Sequence, residues 1–282
     1  MAAYIFPGQG SQARGMGADL FSEFEELTQK ADQILGYSIA KLCMDDANEE
    51  LNQTNFTQPA LYVVNALSYL QKIKASQKPR FLAGHSLGEY NALFAADVFD
   101  FETGLRLVQK RGDLMSKAQG GGMAAIIGLP SQTILDILAS NSLSDITIAN
   151  YNSHTQMVIS GPKESILASQ PLFMNAGAKL FIPLKVSGAF HSQSMEGARK
   201  EFSNFLQGFT FASPTIPVIA NINAEPYPSG SEVATFLAQQ ITHPVLWTQS
   251  VEYLSGQGVQ NFEEIGPGKV LTGLVTRIQK GQ

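Results

Sequence analysis

Residues 81–94 read FLAGHSLGEYNALF, in which a serine between two glycines follows an apolar run and precedes a helix-like stretch. Residues 84–88 fit the pattern G-x-S-x-G in the context it requires, which is strand, sharp turn and helix. Glycines permit the turn, and the helix start directs N–H dipoles toward a developing negative charge. The stretch therefore predicts that Ser86 is a nucleophile at the carboxyl edge of a parallel sheet. The alternative is a serine that only caps the helix.

Strand and helix patterns alternate through the first part of the chain. Such alternation indicates an α/β fold with a mostly parallel sheet. Asp100 is a plausible N-cap for one helix, and Pro59 is expected in the first turn of another. The predicted strands are 4–6 and 80–83, and the predicted helices are 21–35, 60–73, 87–96 and 100–117.

The pattern changes after three glycines at 120–122. Strands are predicted at 123–128, 146–150, 156–160 and 178–186, with helices at 131–139 and 163–176. This βαββαβ order is the ferredoxin-like arrangement. We therefore expect a ferredoxin-like small subdomain, residues 121–189, inserted into a large subdomain formed by residues 1–120 and 190–282. The remaining predicted elements are helices 194–207, 231–240 and 247–257, strands 217–221 and 261–265, and a last helix that begins at GPGKVL.

Composition limits the function classes. The chain has 282 residues, of which 44% are hydrophobic and 15% charged, so it can bury a sizeable core. Its net charge of −5 argues against general nucleic-acid binding, which needs a basic face. No apolar run approaches the roughly 18 residues of a membrane span, and the N-terminus does not resemble a signal peptide. The single cysteine, Cys43, is expected to be reduced and buried without metal-ligand neighbours, which indicates a cytoplasmic protein without a metal site.

A serine nucleophile needs a base, and the chain offers four histidines. His85 adjoins Ser86 and is expected to point away and pack. His154 lies in a surface-like turn, and His243 precedes a proline and is interpreted as structural. His191 lies in the small-residue turn GAFHS after a predicted strand and is the favoured base. No acidic residue stands out as a third member, so a backbone carbonyl is an alternative partner for the imidazole.

Arg111 borders the apolar face of the helix predicted at 100–117, beside Val108 and Met115. An arginine at a core boundary needs an anionic partner. That partner is either a carboxylate of the chain, in a structural ion pair, or a substrate carboxylate bound by the guanidinium fork.

The first turn, FPGQGSQ at 6–12, is glycine-rich but fits neither nucleotide-binding template. A loop at a strand end near a serine turn can supply a backbone N–H to an oxyanion hole. The N–H groups of Gln9 and Leu87 would form this pair.

Taken together, these motifs resemble the malonyl-CoA:acyl-carrier-protein transacylase family, which includes acyltransferases of fatty-acid and polyketide synthesis. The resemblance runs nearly end to end. The chain also resembles the discrete enzymes that serve polyketide synthases lacking their own acyltransferase domain. The motifs that carry it are FPGQGSQ (6–12), TQPAL (57–61), GHSLGEY (84–90), QKRG (109–112), GGGMAAIIG (120–128), NYNS (150–153), FHS (190–192), HPVLW (243–247) and GPGKVLTGL (266–274).

The resemblance implies a hydrolase-like large subdomain with a parallel sheet and a ferredoxin-like small one. It also implies roles for individual residues. Gln240 would orient the histidine through its backbone carbonyl. The other implied roles are nucleophile for Ser86, base for His191, malonyl carboxylate binding for Arg111 and the oxyanion hole for Gln9 and Leu87.

The same resemblance assigns Phe190, Met115 and Asn152 to the specificity-determining cleft. Phe190 and Leu87 resemble the malonyl-selective form. The segment 187–189, Ser-Gly-Ala, is smaller than the usual histidine-containing version, so a looser pocket is expected.

The implied activity is ping-pong transfer of malonyl from malonyl-CoA to the phosphopantetheine of an acyl carrier protein, without a resident cofactor or metal. Both thiol compounds are substrates, and the chain is expected to act as a monomer. The alternatives are an acyl hydrolase that clears carrier proteins and, less favoured, an inactive docking protein. Because carrier proteins are usually acidic, docking must use a local basic patch, for which the candidates are Lys185, Arg199, Lys200, Lys269 and Arg277. The alternative is that these charges only form a solvated face.

Overall fold

The chain forms two four-stranded sheets, here described from a computed structural model over residues 1–75 and 78–282. In these residues the strands are β1 (Ala2–Phe6), β2 (Phe81–Gly84), β3 (Gly121–Ile127), β4 (Thr147–Ser153), β5 (Gln156–Pro162), β6 (Leu180–Pro183), β7 (Val218–Ile219) and β8 (Asn261–Glu264). The α-helices are α1 (Ala18–Glu23), α2 (Glu25–Leu35), α3 (Ile39–Met44), α4 (Thr54–Ala75), α5 (Gly88–Ala95), α6 (Phe101–Ser116), α7 (Ser131–Ser140), α8 (Lys163–Asn175), α9 (Glu196–Leu206), α10 (Gly230–Gln240), α11 (Trp247–Gly256) and α12 (Val270–Gln279).

The first sheet has the order β7-β2-β1-β8, and all its pairings are parallel. Its central strands are buried on both faces, which explains why they read as continuous apolar runs. Side chains alternate between two cores: Tyr4, Phe6 and Leu82 enter one, and Ala3, Ile5 and Ala83 enter the other. The carboxyl ends of β1 and β2 therefore lie side by side, and the turns that follow them meet at one edge.

The second sheet is antiparallel with the order β4-β5-β3-β6, the order of a ferredoxin-like unit. One face packs on α7 and α8 through residues such as Ile126 and Ile159. Met123 and Val158, on the other face, join the core of the first sheet. The predicted α/β fold class is confirmed. The second sheet and its helices occupy residues 121–183, inside the 121–189 segment that we propose as the small subdomain.

Two backbone hydrogen bonds join β4 of the second sheet to Val245, in the segment between α10 and α11. The N–H of Tyr151 in β4 donates to the carbonyl of Val245 at 2.9 Å, and the N–H of Val245 donates to Ala149 at 2.9 Å. The hydroxyl of Thr248 adds a 2.9 Å bond to the Tyr151 carbonyl. Strand β4 is thus bonded to the segment between α10 and α11.

The structure differs from the sequence predictions mainly in the N-terminal helices. The helix predicted at 21–35 is divided at Phe24, whose φ of −117° and ψ of 48° are not helical. Helix α3 was not predicted. Helix α4 begins at Thr54, so Pro59 lies inside it. The hydroxyl of Thr57 bonds the Leu51 carbonyl at 2.6 Å, which stabilises the early turn, and a proline near a helix start forfeits only one backbone bond.

In residues 1–75 and 78–282, no helix combines the length and the apolar character needed to cross a bilayer.

Candidate active site

Ser86 lies on the turn between β2 and α5, with a left-handed φ of 51°. The flanking glycines are required by close backbone approach. A Cβ on Gly84 would lie 1.9 Å from the carbonyl carbon of Gly88, and one on Gly88 would lie 2.0 Å from the carbonyl oxygen of Phe6. Strand β1 and helix α5 are therefore in direct contact through this glycine. The turn projects the serine hydroxyl at the carboxyl edge of the first sheet.

Asn221, which follows β7, fixes the serine turn through its side-chain amide. Its Oδ1 accepts from the N–H of Ser86 at 2.7 Å, and its Nδ2 donates to the carbonyl of Gly84 at 2.6 Å. The turn is therefore bonded to a residue more than 130 positions away in the chain.

His191 is the histidine that faces Ser86. Its Nε2 lies 2.8 Å from Ser86 Oγ, and its Nδ1 lies 2.8 Å from the carbonyl of Gln240 and 3.2 Å from that of His243. Because a carbonyl oxygen only accepts, the neutral ring carries its proton on Nδ1. The lone pair on Nε2 therefore points at the serine hydroxyl, as a general base requires.

The pKa of His191 is lowered to about 3, first by burial and then by the positive charge of Arg111. The imidazole is consequently neutral at neutral pH. His191 also has a left-handed φ of 56°, so both members of the pair occupy a conformation that is uncommon outside glycine.

Arg111 is 1% exposed and reaches the same point from helix α6. Its Nη2 donates to Ser86 Oγ at 3.0 Å and to Gln240 Oε1 at 2.9 Å, and its Nη1 donates to Gln58 Oε1 at 2.8 Å. All three acceptors are neutral. No carboxylate among the described residues lies within ion-pair distance of the guanidinium, so the structural ion-pair alternative does not fit this side chain.

Burial lowers the pKa of Arg111, although Tyr90 and Glu89 oppose the shift. A buried cation with neutral neighbours is stabilised when an anion binds beside it. The Nε of Arg111 is buried and has no hydrogen-bond partner within the described ranges, and the Tyr90 ring lies 5.5 Å from the guanidinium carbon.

A cavity of about 100 Å³ lies where these side chains meet. A water molecule in the liquid takes up about 30 Å³, so the cavity has room for a short acyl group. A larger groove of about 1290 Å³ shares Gln9, Leu184 and Val186 with it and leads away along the cleft. The cavity is lined by Gln9, Gln58, His85, Ser86, Arg111, Met115, Met123, Asn150, Leu184, Val186, Phe190 and His191.

Met115 and Phe190 line the cavity, whereas Asn152 does not. Asn152 Oδ1 lies 2.8 Å from His85 Nε2, and this contact holds the amide against a second cavity of about 120 Å³ on the other side of the turn. Asn150 takes the position expected for Asn152. Irregular pairing of β4 with β5 accounts for the difference, because a bulge changes which side chains share a face.

The looser pocket expected from segment 187–189 is not found at Gly188. A Cβ on Gly188 would lie 2.6 Å from the Ala118 side chain and 2.9 Å from the Phe190 ring. The missing side chain is thus replaced by neighbouring atoms rather than by open space.

Gln9 and Leu87 lie on the two turns that meet at the sheet edge. Gln9 lines the cavity, and Leu87 follows the serine directly. The side chain of Gln9 turns toward Thr54 Oγ1 at 3.3 Å. Within the described part of the chain, neither backbone N–H has a hydrogen-bond acceptor, so both are available to a ligand.

The remaining histidines lie away from the hydroxyl. The ring of His85 packs 5.7 Å from that of Trp247, in addition to its contact with Asn152. His154 is partly exposed near Glu252, and His243 contributes its carbonyl. In the described residues, no group of three His, Cys, Asp or Glu side chains is arranged to hold a metal.

The expected basic patch is only partly free. Arg199 bonds Glu196 through two nitrogens at 2.6 Å, and Lys200 lies 3.9 Å from the same carboxylate. Arg277 bonds Gln156 Oε1 at 2.5 Å, whereas Lys185 lines the large groove. Lys269 is the N-cap residue of α12.

Sequence reasoning missed a buried polar network behind the serine turn. Gln240 Nε2 donates to Glu89 Oε2 at 2.7 Å and to the Ser86 carbonyl at 3.0 Å. The N–H of Asn221 donates to Glu89 Oε2 at 3.1 Å, and the Tyr227 hydroxyl donates to Glu89 Oε1. An acidic residue in a mostly apolar helix directly after the serine was a readable signal for Glu89, whereas Asn221 and Tyr227 carry no local signal.

The fold and the site together define the class: an α/β protein with a serine–histidine pair at a strand–turn–helix elbow and a ferredoxin-like second sheet. A sequence model of the acyl transferase domain family matches residues 3–280. The chain belongs to this family, and the resemblance inferred from the motifs is confirmed.

Three similar proteins illustrate the relationship. The polyketide biosynthesis malonyl CoA-acyl carrier protein transacylase PksC of Bacillus subtilis (strain 168) is 56% identical over 282 residues, which cover 99% of this chain and 98% of that protein. The crystal structure of malonyl CoA-acyl carrier protein transacylase from Burkholderia pseudomallei has a TM-score of 0.96 at 50% identity and covers 100% of this chain and 99% of that one. The complex PlMCAT:AntF, a type II PKS acyl-carrier protein with its malonyl-transacylase, gives a TM-score of 0.94 at 39% identity, covering 99% of this chain and 93% of that one.

Proposed function

We propose that this chain transfers malonyl groups from malonyl-CoA to the phosphopantetheine thiol of an acyl carrier protein through an acyl-Ser86 intermediate. One observation carries the proposal: Ser86 Oγ lies 2.8 Å from the neutral base His191 and 3.0 Å from the buried cation Arg111. A nucleophile, a base and a carboxylate-binding group thus share one small cavity. The relatives named as malonyl CoA-acyl carrier protein transacylases support the same reaction.

In the first half-reaction the carboxylate of the malonyl group binds Arg111 through charge-assisted hydrogen bonds. His191 Nε2 takes the Ser86 proton as Oγ attacks the thioester carbonyl carbon. The N–H groups of Gln9 and Leu87 stabilise the oxyanion, an effect worth about 2.7–4 kcal/mol per donor in a comparable site. The C–S bond then breaks, and the proton passes from His191 to the departing sulfur of CoA.

In the second half-reaction the thiol of the carrier phosphopantetheine takes the place of CoA. His191 accepts the thiol proton, the sulfur attacks the ester carbonyl, and the C–O bond to Ser86 breaks. The proton returns to Ser86 Oγ. The carbonyl of Gln240 keeps the imidazole oriented throughout, because it bonds Nδ1 in both the neutral and the charged ring.

The remaining assignments follow from this chemistry. The hydroxyl, imidazole and guanidinium supply nucleophile, base and binding charge, so the reaction requires no resident cofactor. Met115 and Phe190 shape the acyl end of the cavity. The similarity to PksC favours polyketide over fatty-acid synthesis. The proposed location is the cytoplasm, since the lone Cys43 is buried as a free thiol and disulfides are rare in reducing compartments.

Intact-protein mass spectrometry tests the proposal against hydrolysis on the same fold. Incubation with malonyl-CoA should give a malonyl adduct that maps to Ser86 and persists until a holo carrier protein is added. The carrier should then gain the malonyl group, and Ser86→Ala should show neither step. Consumption of malonyl-CoA without acylation of any carrier protein would contradict transfer.

A further inference from the structure

Glu89 is a buried carboxylate that the transfer steps above do not use. It is 1% exposed, lies three residues after Ser86 in helix α5, and does not line the cavity. A carboxyl group is rarely buried so fully without a reason in binding, pairing or catalysis. Its contact with Gln240 connects it to Ser86, Arg111 and His191.

The three donors to Glu89 fix the direction of a neighbouring amide. Gln240 Nε2 and the Asn221 N–H can only donate, so Glu89 Oε2 must accept from both. With Nε2 held by Glu89 and by the Ser86 carbonyl, the Gln240 Oε1 faces Arg111. The reversed amide would place its oxygen against two acceptors and its NH₂ against the guanidinium.

Gln240 touches all the reacting groups. Its side chain accepts from Arg111 at 2.9 Å, and its backbone carbonyl accepts from His191 Nδ1 at 2.8 Å. A change in the amide orientation would therefore displace the cation and disturb the segment that orients the base.

We infer that Glu89 is a positioning residue for the transfer reaction, because its carboxylate sets the orientation of the Gln240 amide and, through it, the positions of Arg111 and His191. The inference rests on the proposed function. A positioning role differs from a structural one in that it changes how the reaction depends on acyl charge and on pH.

The same arrangement explains why Arg111 has no direct ionic partner. The carboxylate of Glu89 only partly offsets the guanidinium charge, because the Gln240 amide lies between the two groups. A direct ion pair would occupy the N–H groups of the guanidinium. The contact through Gln240 instead keeps an N–H of Arg111 available to a substrate carboxylate.

The titratable groups around Glu89 come from several elements. Arg111 faces it from α6, Tyr227 from the segment after β7, and Tyr90 from its own helix, while His191 is reached through Gln240. Burial raises the pKa of Glu89 to about 7, although the hydrogen bonds and Arg111 oppose the shift. Only the ionised form can accept from all three donors. Activity is therefore expected to fall as the pH falls through this pKa.

The variant Glu89→Gln separates charge from hydrogen bonding. Its carbonyl can accept from Gln240 and Asn221, and its NH₂ can donate to the Tyr227 oxygen, so the Gln240 amide keeps its direction. The amide is then held by neutral hydrogen bonds, which are weaker than charge-assisted ones, and no titrating group remains. We expect kcat/KM for malonyl transfer to fall about tenfold, which corresponds to loss of a charge-assisted hydrogen bond. The acid limb near pH 7 should disappear from the kcat/KM profile.

Tyr227→Phe provides a second test if Glu89→Gln folds poorly. It removes one donor that favours the ionised carboxylate, so the acid limb should move to higher pH. Glu225→Gln, an exposed change in the same loop, should retain the wild-type rate and profile. Thermal melting of each variant monitors folding.

Wild-type kcat/KM in Glu89→Gln, an unchanged acid limb in that variant, or an unmoved limb in Tyr227→Phe would overturn the inference. Failure of the proposed function is distinguishable, because the wild-type protein would then form no acyl-Ser86 at any pH.

Discussion

Arg111 donates to the hydroxyl of Ser86 at 3.0 Å, so the proposed carboxylate-binding group and the proposed nucleophile are already hydrogen-bonded to each other. A hydroxyl that accepts from a cation is a weaker nucleophile. A substrate carboxylate bound by Arg111 would partly neutralise the guanidinium and weaken its hydrogen bond to Ser86 Oγ. Binding of a charged acyl group would thus activate the hydroxyl, whereas an uncharged one would leave it restrained.

Replacing Arg111 should change acyl selectivity more than overall competence. Arg111→Ala removes charge-assisted hydrogen bonds worth roughly 1.5–3 kcal/mol, so the ratio of malonyl to acetyl kcat/KM should fall at least about tenfold. Arg106→Ala, on the exposed face of the same helix, is the control and should retain the ratio. The ratio is independent of the folded fraction, and an unchanged ratio in Arg111→Ala would refute the carboxylate role.

The backbone at Ser86 predicts a stability difference between two inactive variants. Both Ser86→Gly and Ser86→Ala lose the hydroxyl, but alanine must retain a φ of 51°, which glycine adopts readily. The glycine variant should have the higher free energy of unfolding, by on the order of 0.5–1 kcal/mol. Urea denaturation at neutral pH measures the difference. Equal stability would mean that the turn relaxes in the alanine variant.

The pKa of His191 has a consequence for stability. The group has an ordinary pKa of 6.5 when unfolded and about 3 when folded, so between these values the unfolded chain binds more protons. The contribution of His191 to the free energy of unfolding is therefore present above pH 6.5 and is lost as the pH falls toward 3. Between pH 7 and 5 the loss amounts to up to about 2 kcal/mol.

The test compares the wild-type protein with His191→Asn at both pH values by urea denaturation. The wild type should lose more stability on acidification, and the opposing contribution of Glu89 cancels because both proteins carry it. His154→Asn, in the partly exposed β4–β5 turn, controls for general effects. The prediction fails if wild type and His191→Asn lose equal stability.

The contact of α5 with β1 makes Gly88 intolerant of substitution. A Cβ there would lie 2.0 Å from the Phe6 carbonyl oxygen, so Gly88→Ala should lower the free energy of unfolding by about 3 kcal/mol or more. Gly273 in α12 has open space at the same position, and Gly273→Ala should stabilise the helix by up to about 1 kcal/mol. Thermal or urea unfolding distinguishes the two. Comparable effects of both substitutions would contradict the contact argument.

The serine turn could be predicted from the sequence because its determinants are local. Two glycines, an apolar run and a helix start lie within a few residues of Ser86. The close backbone contacts at Gly84 and Gly88 explain why both positions are glycine. The burial of Arg111 could likewise be predicted from the apolar face of its helix. The approximate place of His191 could be predicted from its position after a strand.

The partners of these groups could not be predicted in the same way. Gln240 meets His191 across 49 positions of the chain and was identified only through the family resemblance. Asn221 and Tyr227 reach the turn because β7 pairs with β2, and strand order is not a local property. Asn152 was misplaced because the bulged pairing of β4 is decided by neighbouring strands.

The bonds between Val245 and β4 tie the second sheet to the polypeptide that supplies both carbonyl acceptors of His191. An outward movement of the second sheet would stretch these bonds and displace the imidazole of His191 from its position beside Ser86. We therefore expect the cleft between the two sheets to keep a constant width while the pantetheine arm enters it from its open end.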